Sequence, residues 1–280
     1  EIGTGDWSSD VCSSDLLNRE LSSPTDAGVE AVPGAGLQLH GFEPFRLNES
    51  YSTFFATLHQ TCLDLEADPY GDGSTRFRCY GRALLLPWSK ALHWFPNTCN
   101  SDGREASEYY QGDFNPELGD KSRLFPPLPA QICNSGDLAE VIVDNFDRTV
   151  WQGFDRSAPI QVGVALMRLY VNRTYPIAKI TPDCLHQDGE HYTFIHLIDR
   201  CGISGGDNTV AEVSQVGKLP VDTPAGRIRA SFTLEERLES YAVHDPQVSH
   251  HVSGVVLDGA ATEGWRHTLV IDFTPMSPRF

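Results

Sequence analysis

Basic residues are scarce in this chain of 280 residues: 21 Lys and Arg stand against 38 Asp and Glu, a formal charge of −17. So acidic a chain is poorly matched to a phosphate backbone or an anionic membrane surface, which argues against nucleic acid and membrane as partners and leaves small or cationic molecules open. Long apolar runs are missing as well. The densest, such as VGVALM at 162–167, have the length of a strand and fall far short of a membrane span. The seven cysteines, at 12, 62, 79, 99, 133, 184 and 201, contain no CxxC pair. That excludes zinc knuckles and thioredoxin-type motifs and predicts scattered reduced thiols in a cytoplasmic protein. No G-x-S-x-G nucleophile elbow is present, and GISGGDN at 202–208 lacks the Lys and the following helix of a phosphate-binding loop, so a tight hairpin is expected there.

The residues that are present change in texture along the chain. EIGTGDWSSDVCSSDL, residues 1–16, has a Ser/Asp bias unlike anything that follows and looks like a translated sequencing adapter fused near Leu17. It is set aside as a tail, which leaves 17–280 as one expected domain. Residues 18–49 read as an irregular lead-in. Phe54, Leu58, Cys62 and Leu65 recur at helical spacing, predicting an amphipathic helix from Tyr51 to about Glu66. DPYGDGS is turn chemistry, RFRCYGRALLLPW a strand, and 95–108 a polar loop. YYQGDFNPELGDKSRLFPPL at 109–128 is a compact polar and aromatic cluster, and Asp137 with Glu140 could cap a helix running to about Trp151. After Pro159 short strands separated by turns are expected at 161–172, 191–198, 208–215, 227–233, 247–257 and 265–274. The fold predicted is α+β, a double-sheet barrel spanning about 160–275 with helices on one outer face.

The chemistry concentrates in HQDGEHYTFIHLIDRCGISGGDNTV, residues 186–210. On an extended segment His186 and Asp188 project from the same face, and one further His would complete the two-His-one-carboxylate triad of non-heme iron oxygenases. The candidates are His244, His250, His251 and His267. In QVSHHVSGVV, alternation puts His250 with Val248 and Val252, facing the barrel interior, and His251 outward; a slip of one residue would exchange them. Arg266 shares a face with Thr268 and Val270, while Trp265, Leu269, Ile271 and Phe273 share the one expected to lie under helices. A buried guanidinium needs an anion, and a dicarboxylate cosubstrate would supply it. Tyr110, Gln111 and Arg168 are the nominated substrate contacts.

Taken in order, the HQD segment, DPQVSHHVSGVV, GWRHTLVIDF and the upstream DPY and 109–128 cluster resemble the 2-oxoglutarate/Fe(II) dioxygenases that hydroxylate free amino acids, the isoleucine 4-hydroxylase group. The resemblance runs from about residue 40 to the end. It implies a jelly-roll, or double-stranded β-helix, with iron on His186, Asp188 and His250. It also implies that 2-oxoglutarate chelates the iron and pairs its far carboxylate with Arg266, and that O2 is consumed with release of succinate and CO2. Retention of Asp188 favours hydroxylation over halogenation, since halogenases of the wider superfamily replace that carboxylate. Against the group's usual pattern, Pro182-Asp183-Cys184 stands before the first His, Gln187 after it, Gly254 in place of a Pro and His267 in place of an acid. A cupin-like metal protein, an isomerase or ligand-binding module without 2-oxoglutarate, is the competing reading, and it would have no use for Arg266. A carrier-bound or peptide substrate is a further one.

Overall fold

The computed structural model describes residues 32–111, 114, 121–151 and 158–276. The adapter-like stretch and residues 112, 113 and 115–120 of the 109–128 cluster lie outside them. In chain order the elements are α1 (Ala35–His40), β1 (Phe42–Arg46), α2 (Ser52–Leu63), β2 (Arg76–Leu86), β3 (Ala91–Trp94), β4 (Thr98–Cys99), β5 (Glu105–Tyr109) and β6 (Arg123–Phe125). Then come α3 (Ala130–Cys133), α4 (Gly136–Arg148), β7 (Ile160–Asn172), β8 (Ile177–Ala178), β9 (Tyr192–Cys201), β10 (Ile203–Gly205) and β11 (Asp207–Ala211). The chain closes with β12 (Ile228–Thr233), β13 (Glu239–His244), β14 (Ser249–Val252), β15 (Val255–Leu257) and β16 (Glu263–Pro275).

Seven strands form one antiparallel sheet in the order β1-β13-β9-β16-β7-β2-β3, and two small sheets, β12-β11-β14 and β10-β15-β8, complete the barrel. Strict alternation along the long strands builds two faces at once. Val162, Val164 and Leu166 of β7, Tyr192 and Phe194 of β9, and Leu269, Ile271 and Phe273 of β16 pack outward with Phe54, Phe55 and Leu58 of α2 and Leu138, Val141 and Ile142 of α4. The opposite faces turn inward, where Ile195 and Leu197 meet Val210 and Val248, and Leu169 and Val171 meet Ala178 and Val255. The architecture is therefore the α+β double-sheet barrel with flanking helices that the strand pattern predicted, in the double-stranded β-helix form that the resemblance implied. No helix among the described residues is long and apolar enough to cross a membrane.

Local differences from the sequence reading have physical reasons. The helix predicted to reach Trp151 stops at Arg148, because Thr149 turns extended with its hydroxyl on the Phe146 carbonyl and the Val150 N–H donates to the Tyr192 hydroxyl. Its N-cap is Ser135, which places Asp137 inside the first turn, where it faces the positive end of the helix. The lead-in contains β1, an edge strand that tolerates Pro44. The polar loop contains β4 and β5, and the strand β13 was missed altogether. The strand expected at 208–215 ends at Ala211, and the one at 247–257 breaks at Ser253-Gly254 so that β14 and β15 join different small sheets. GISGGDN is not a hairpin: β10 and β11 do not pair with each other, and Gly205 and Gly206, with φ of 80° and 76°, form the corner between those two sheets.

One buried histidine sets a pH dependence. Ser240 Oγ donates to the Leu238 carbonyl, so it accepts from His196 Nδ1 at 2.8 Å, which leaves His196 Nε2 to accept from Asn145 Nδ2 at 2.7 Å. Burial, with Arg148 adding to it, depresses the ring to about 3. Unfolded, it would titrate near its ordinary value of about 6.5. Below that pH the unfolded chain takes up a proton that the folded chain refuses, so this contribution is complete above pH ~6.5 and declines as pH falls toward 3. In His196→Gln, urea-measured stability between pH 6 and 4 should fall less steeply than in the wild type, by about 1.4 kcal/mol per pH unit.

Candidate active site

His186 is held by a two-way backbone bridge to His250: each N–H donates to the other's carbonyl at 2.9 Å. The rings lie side by side, with centroids 4.5 Å apart. His186 Nδ1 donates to the Cys184 carbonyl at 2.8 Å, which leaves Nε2 as the lone-pair nitrogen facing Asp188 Oδ1 at 3.5 Å. The other Asp188 oxygen lies 3.1 Å from His250 Nε2. One donor atom from each of His186, Asp188 and His250 lies within 4.8 Å of the others, an open arrangement of two imidazoles and one carboxylate.

The HQD segment is not a strand: His186 makes one isolated bridge, and Gln187 and Asp188 are irregular. Its convergence depends on Asp245, whose two carboxylate oxygens accept the N–H groups of Asp188 and Gly189, each at 2.9 Å. Gly189 takes φ of 88°, the left-handed region, and a Cβ there would lie 2.4 Å from the Phe114 ring. Burial works to raise the Asp188 carboxyl, but the two histidines beside it, the His250 charge foremost, outweigh it and hold the group well below the usual carboxylate range. For His250 burial works downward, and the Asp188 charge and hydrogen bond overcome it and raise the ring. Burial, then the Asp188 charge, pushes Asp245 up to about 6.

Among the other histidines, alternation on β14 sends His251 away from His250 as expected. His251 is nevertheless buried, with Nε2 3.4 Å from Asp183 Oδ1, and so does not face solvent. His244 stacks on Tyr192 at 4.5 Å, and His267 packs against His59 at 5.1 Å.

The triad opens into a cavity of about 130 Å³ lined from the inner sheet face by Arg266, Thr268, Val270 and Asp272 of β16 and by Thr193 and Ile195 of β9. Arg266 is 3% exposed, and its Nη2 has no hydrogen-bond partner among the described residues. Burial brings it down to about 10, against the pull of Tyr241 and with Arg200 adding to the fall. Gly206, the corner between the small sheets, lies close enough that a Cβ there would come within 3.1 Å of Arg266 Cδ.

The three nominated substrate contacts separate. Gln111 lines the cavity, donates to Asp188 Oδ1 at 3.0 Å and accepts from Arg123 Nη2 at 2.7 Å. Tyr110 is 59% exposed and is not part of the cavity wall. Arg168 is on the other side of the sheet: it donates to the Leu63 carbonyl at the end of α2 and stacks on Phe77 and Tyr170, because its position on β7 shares the helix-facing side with Val164 and Leu166. That corrects its nomination.

Sequence reasoning missed Arg78, Tyr109, Arg123, Glu190 and Asp272, all of which line the cavity. Two were within reach of the alternation rule, since Asp272 continues the Arg266-Thr268-Val270 face and Arg78 shares a face with Tyr80. Burial, with Asp272 and Asp188 nearby, pushes the Glu190 carboxyl well up, and burial brings Asp272 up to about 7 against the Gly163 N–H that it accepts at 3.0 Å. Gly163 is required for that contact. A Cβ would fall 2.3 and 2.5 Å from the Asp272 oxygens and 2.5 Å from Tyr80 Oη. Gly163→Ala should therefore cost about 1–3 kcal/mol of stability, read from urea denaturation.

A jelly-roll carrying two imidazoles and a carboxylate at its mouth is the architecture of a non-heme metal oxygenase. A profile of the 2OG-Fe dioxygenase family matches residues 59–272, well over half of the chain, and the protein belongs to that family. Its enzymes use Fe(II), 2-oxoglutarate and O2 and act on small molecules. Among solved structures the chain resembles IDO from Bacillus thuringiensis, at 19% identity and TM-score 0.66 over 88% of this chain and 94% of that one. It also resembles a bsmA homolog from Methylobium petroleophilum PM1, at 18% identity and TM-score 0.70 over 89% and 94%. A third is the Fe(II)/α-ketoglutarate-dependent dioxygenase TqaL, at 11% identity and TM-score 0.65 over 88% and 87%. No curated protein matched by sequence. At these identities the structural likenesses speak for the fold.

Proposed function

We propose that this dioxygenase hydroxylates an unactivated C–H of a free amino acid, as its resemblance to the isoleucine 4-hydroxylase group suggests, with iron held by His186, Asp188 and His250. The observation that carries the reading is that one cavity holds both the convergent donor atoms of His186, Asp188 and His250 and a buried Arg266 whose Nη2 has no partner among the described residues. A divalent cation satisfies the first and a carboxylate the second, which is what iron and the far end of 2-oxoglutarate would bring. With Fe(II), 2-oxoglutarate and O2 bound, such a site supplies oxidative decarboxylation to succinate and CO2, with the second oxygen atom inserted into the substrate C–H.

The chain's own groups hold that chemistry in place. Cys184 and Asp245 orient two of the three ligands. Arg266, deep in the cavity, fixes the reach of the cosubstrate, and Ile195, Val252 and Val270 make an apolar wall that excludes water. The six described cysteines are free, which supports a reducing compartment such as the cytoplasm. A cupin-like protein without 2-oxoglutarate leaves the buried Arg266 unexplained.

The test is succinate release, anaerobically and in air, with Fe(II), 2-oxoglutarate and a panel of common amino acids on protein starting near Leu17. Oxygen-dependent succinate that rises with one amino acid supports the reading. Metal binding without succinate above the blank would transfer it to the cupin-like alternative.

A further inference from the structure

Four ionisable groups line the cavity without pairing with one another. Among the described residues Arg78 and Arg123 form no ion pair, and neither do Glu190 and Asp272. The arginines are held by their faces: Arg78 stands 4.4 Å over the Phe125 ring and 5.3 Å over Tyr109, and Arg123 stands 4.6 Å over Tyr109. Arg123 Nη2 also donates to Gln111 Oε1 at 2.7 Å, but the Nε of each arginine is buried without a partner among the described residues, which leaves that edge for hydrogen bonding. On the carboxylate side, Glu190 is 9% exposed; Tyr109 Oη donates to its Oε1 at 3.0 Å, while its Oε2 is buried with no partner among the described residues. Asp272 is held toward the same space by the Gly163 N–H.

A buried guanidinium without a counter-charge is costly, and burial opposes ionisation of two carboxyls that have no cation beside them; a ligand that supplies the missing counter-charges relieves both. A cation alone would satisfy the carboxylates and leave the arginines, and an anion alone the reverse. A small zwitterion satisfies both.

We infer that Glu190 and Asp272 seat the α-ammonium of the substrate and that Arg78 and Arg123 seat its carboxylate, so that the enzyme selects free amino acids and rejects those capped at either end. This rests on the hydroxylase reading above and deepens it by excluding peptide and carrier-bound substrates. Tyr109, bonded to Glu190 and under both arginines, ties the two seats together.

The experiment compares, on the iron-loaded enzyme in air with 2-oxoglutarate, the best common amino acid of the panel with its N-acetyl derivative, its primary amide and its desamino acid. The capped and desamino compounds should be poorer in kcat/KM by about 100-fold or more, because each leaves a buried charge unmatched. In Glu190→Gln and Asp272→Asn the preference for the amino acid over its desamino analogue should fall by about tenfold or more, a change in a ratio that general destabilisation does not produce. Circular dichroism and melting temperature identify a variant that has not folded, and Glu190→Asp then provides the comparison. If the N-acetyl compound or the amide turns over as well as its parent, or both carboxylate variants keep the wild-type preference, the inference is overturned while the hydroxylase reading stands. Succinate release that depends on no amino acid overturns both.

Discussion

His186→Ala should abolish oxygen-dependent succinate release, down to the no-enzyme blank, and with it stoichiometric Fe(II) binding. The site offers three ligand atoms and no fourth protein donor among the described residues, so losing one imidazole leaves a bidentate site. The same substitution also frees Asp188 Oδ1 from its neighbour at 3.5 Å. A positional control separates ligand loss from misfolding. The Asp245 side chain reaches the site through the N–H groups of Asp188 and Gly189 and a 3.8 Å approach to His250. Asp245→Asn should therefore weaken iron binding by about 10–100-fold without abolishing it. Equal losses in both variants, each with a native melting curve, would refute the assignment of His186 as a ligand.

Arg266→Met should raise the 2-oxoglutarate concentration needed for half-maximal turnover by about 100-fold or more while Fe(II) binding persists. The guanidinium is 3% exposed, has an unpartnered Nη2 and has no ion-pair partner among the described residues. Methionine keeps most of the packing volume and removes only the charge and the donors. A two-carbon-shorter 2-oxo acid without the far carboxylate supplies the diagnostic. Wild type should strongly prefer 2-oxoglutarate over it, and the variant should lose most of that preference. An unchanged requirement would place the cosubstrate's far end elsewhere in the cavity.

The sequence carried much of this site because the barrel strands obey alternation. Arg266, Thr268 and Val270 share the inner face, and Leu269, Ile271 and Phe273 lie under the helices, as a period of two dictates. The same rule separated His250 from His251. It placed Arg168 with Val164 and Leu166, and the helix that covers that face rules Arg168 out as a cavity residue. What was not legible came from outside the strands. The HQD segment depends on a carboxylate supplied by Asp245, a contact between segments far apart in sequence that no local pattern reveals. Arg123 enters from β6, a three-residue strand too short to show periodicity. β1 was hidden by Pro44, which a central strand would exclude and an edge strand accepts.

The reciprocal hydrogen bonds between His186 and His250 also bear on how the metal and the fold depend on each other. Where ligands converge only on the ion, metal uptake and folding are one event, and chelation unfolds the protein. Here the two imidazoles are brought together by backbone pairing, and Asp188 is anchored by a neighbouring carboxylate. The chelating geometry is thus prepaid by the apoprotein. Treatment with a strong chelator should strip iron and activity while leaving the circular dichroism spectrum unchanged, and added Fe(II) should restore turnover without a refolding lag.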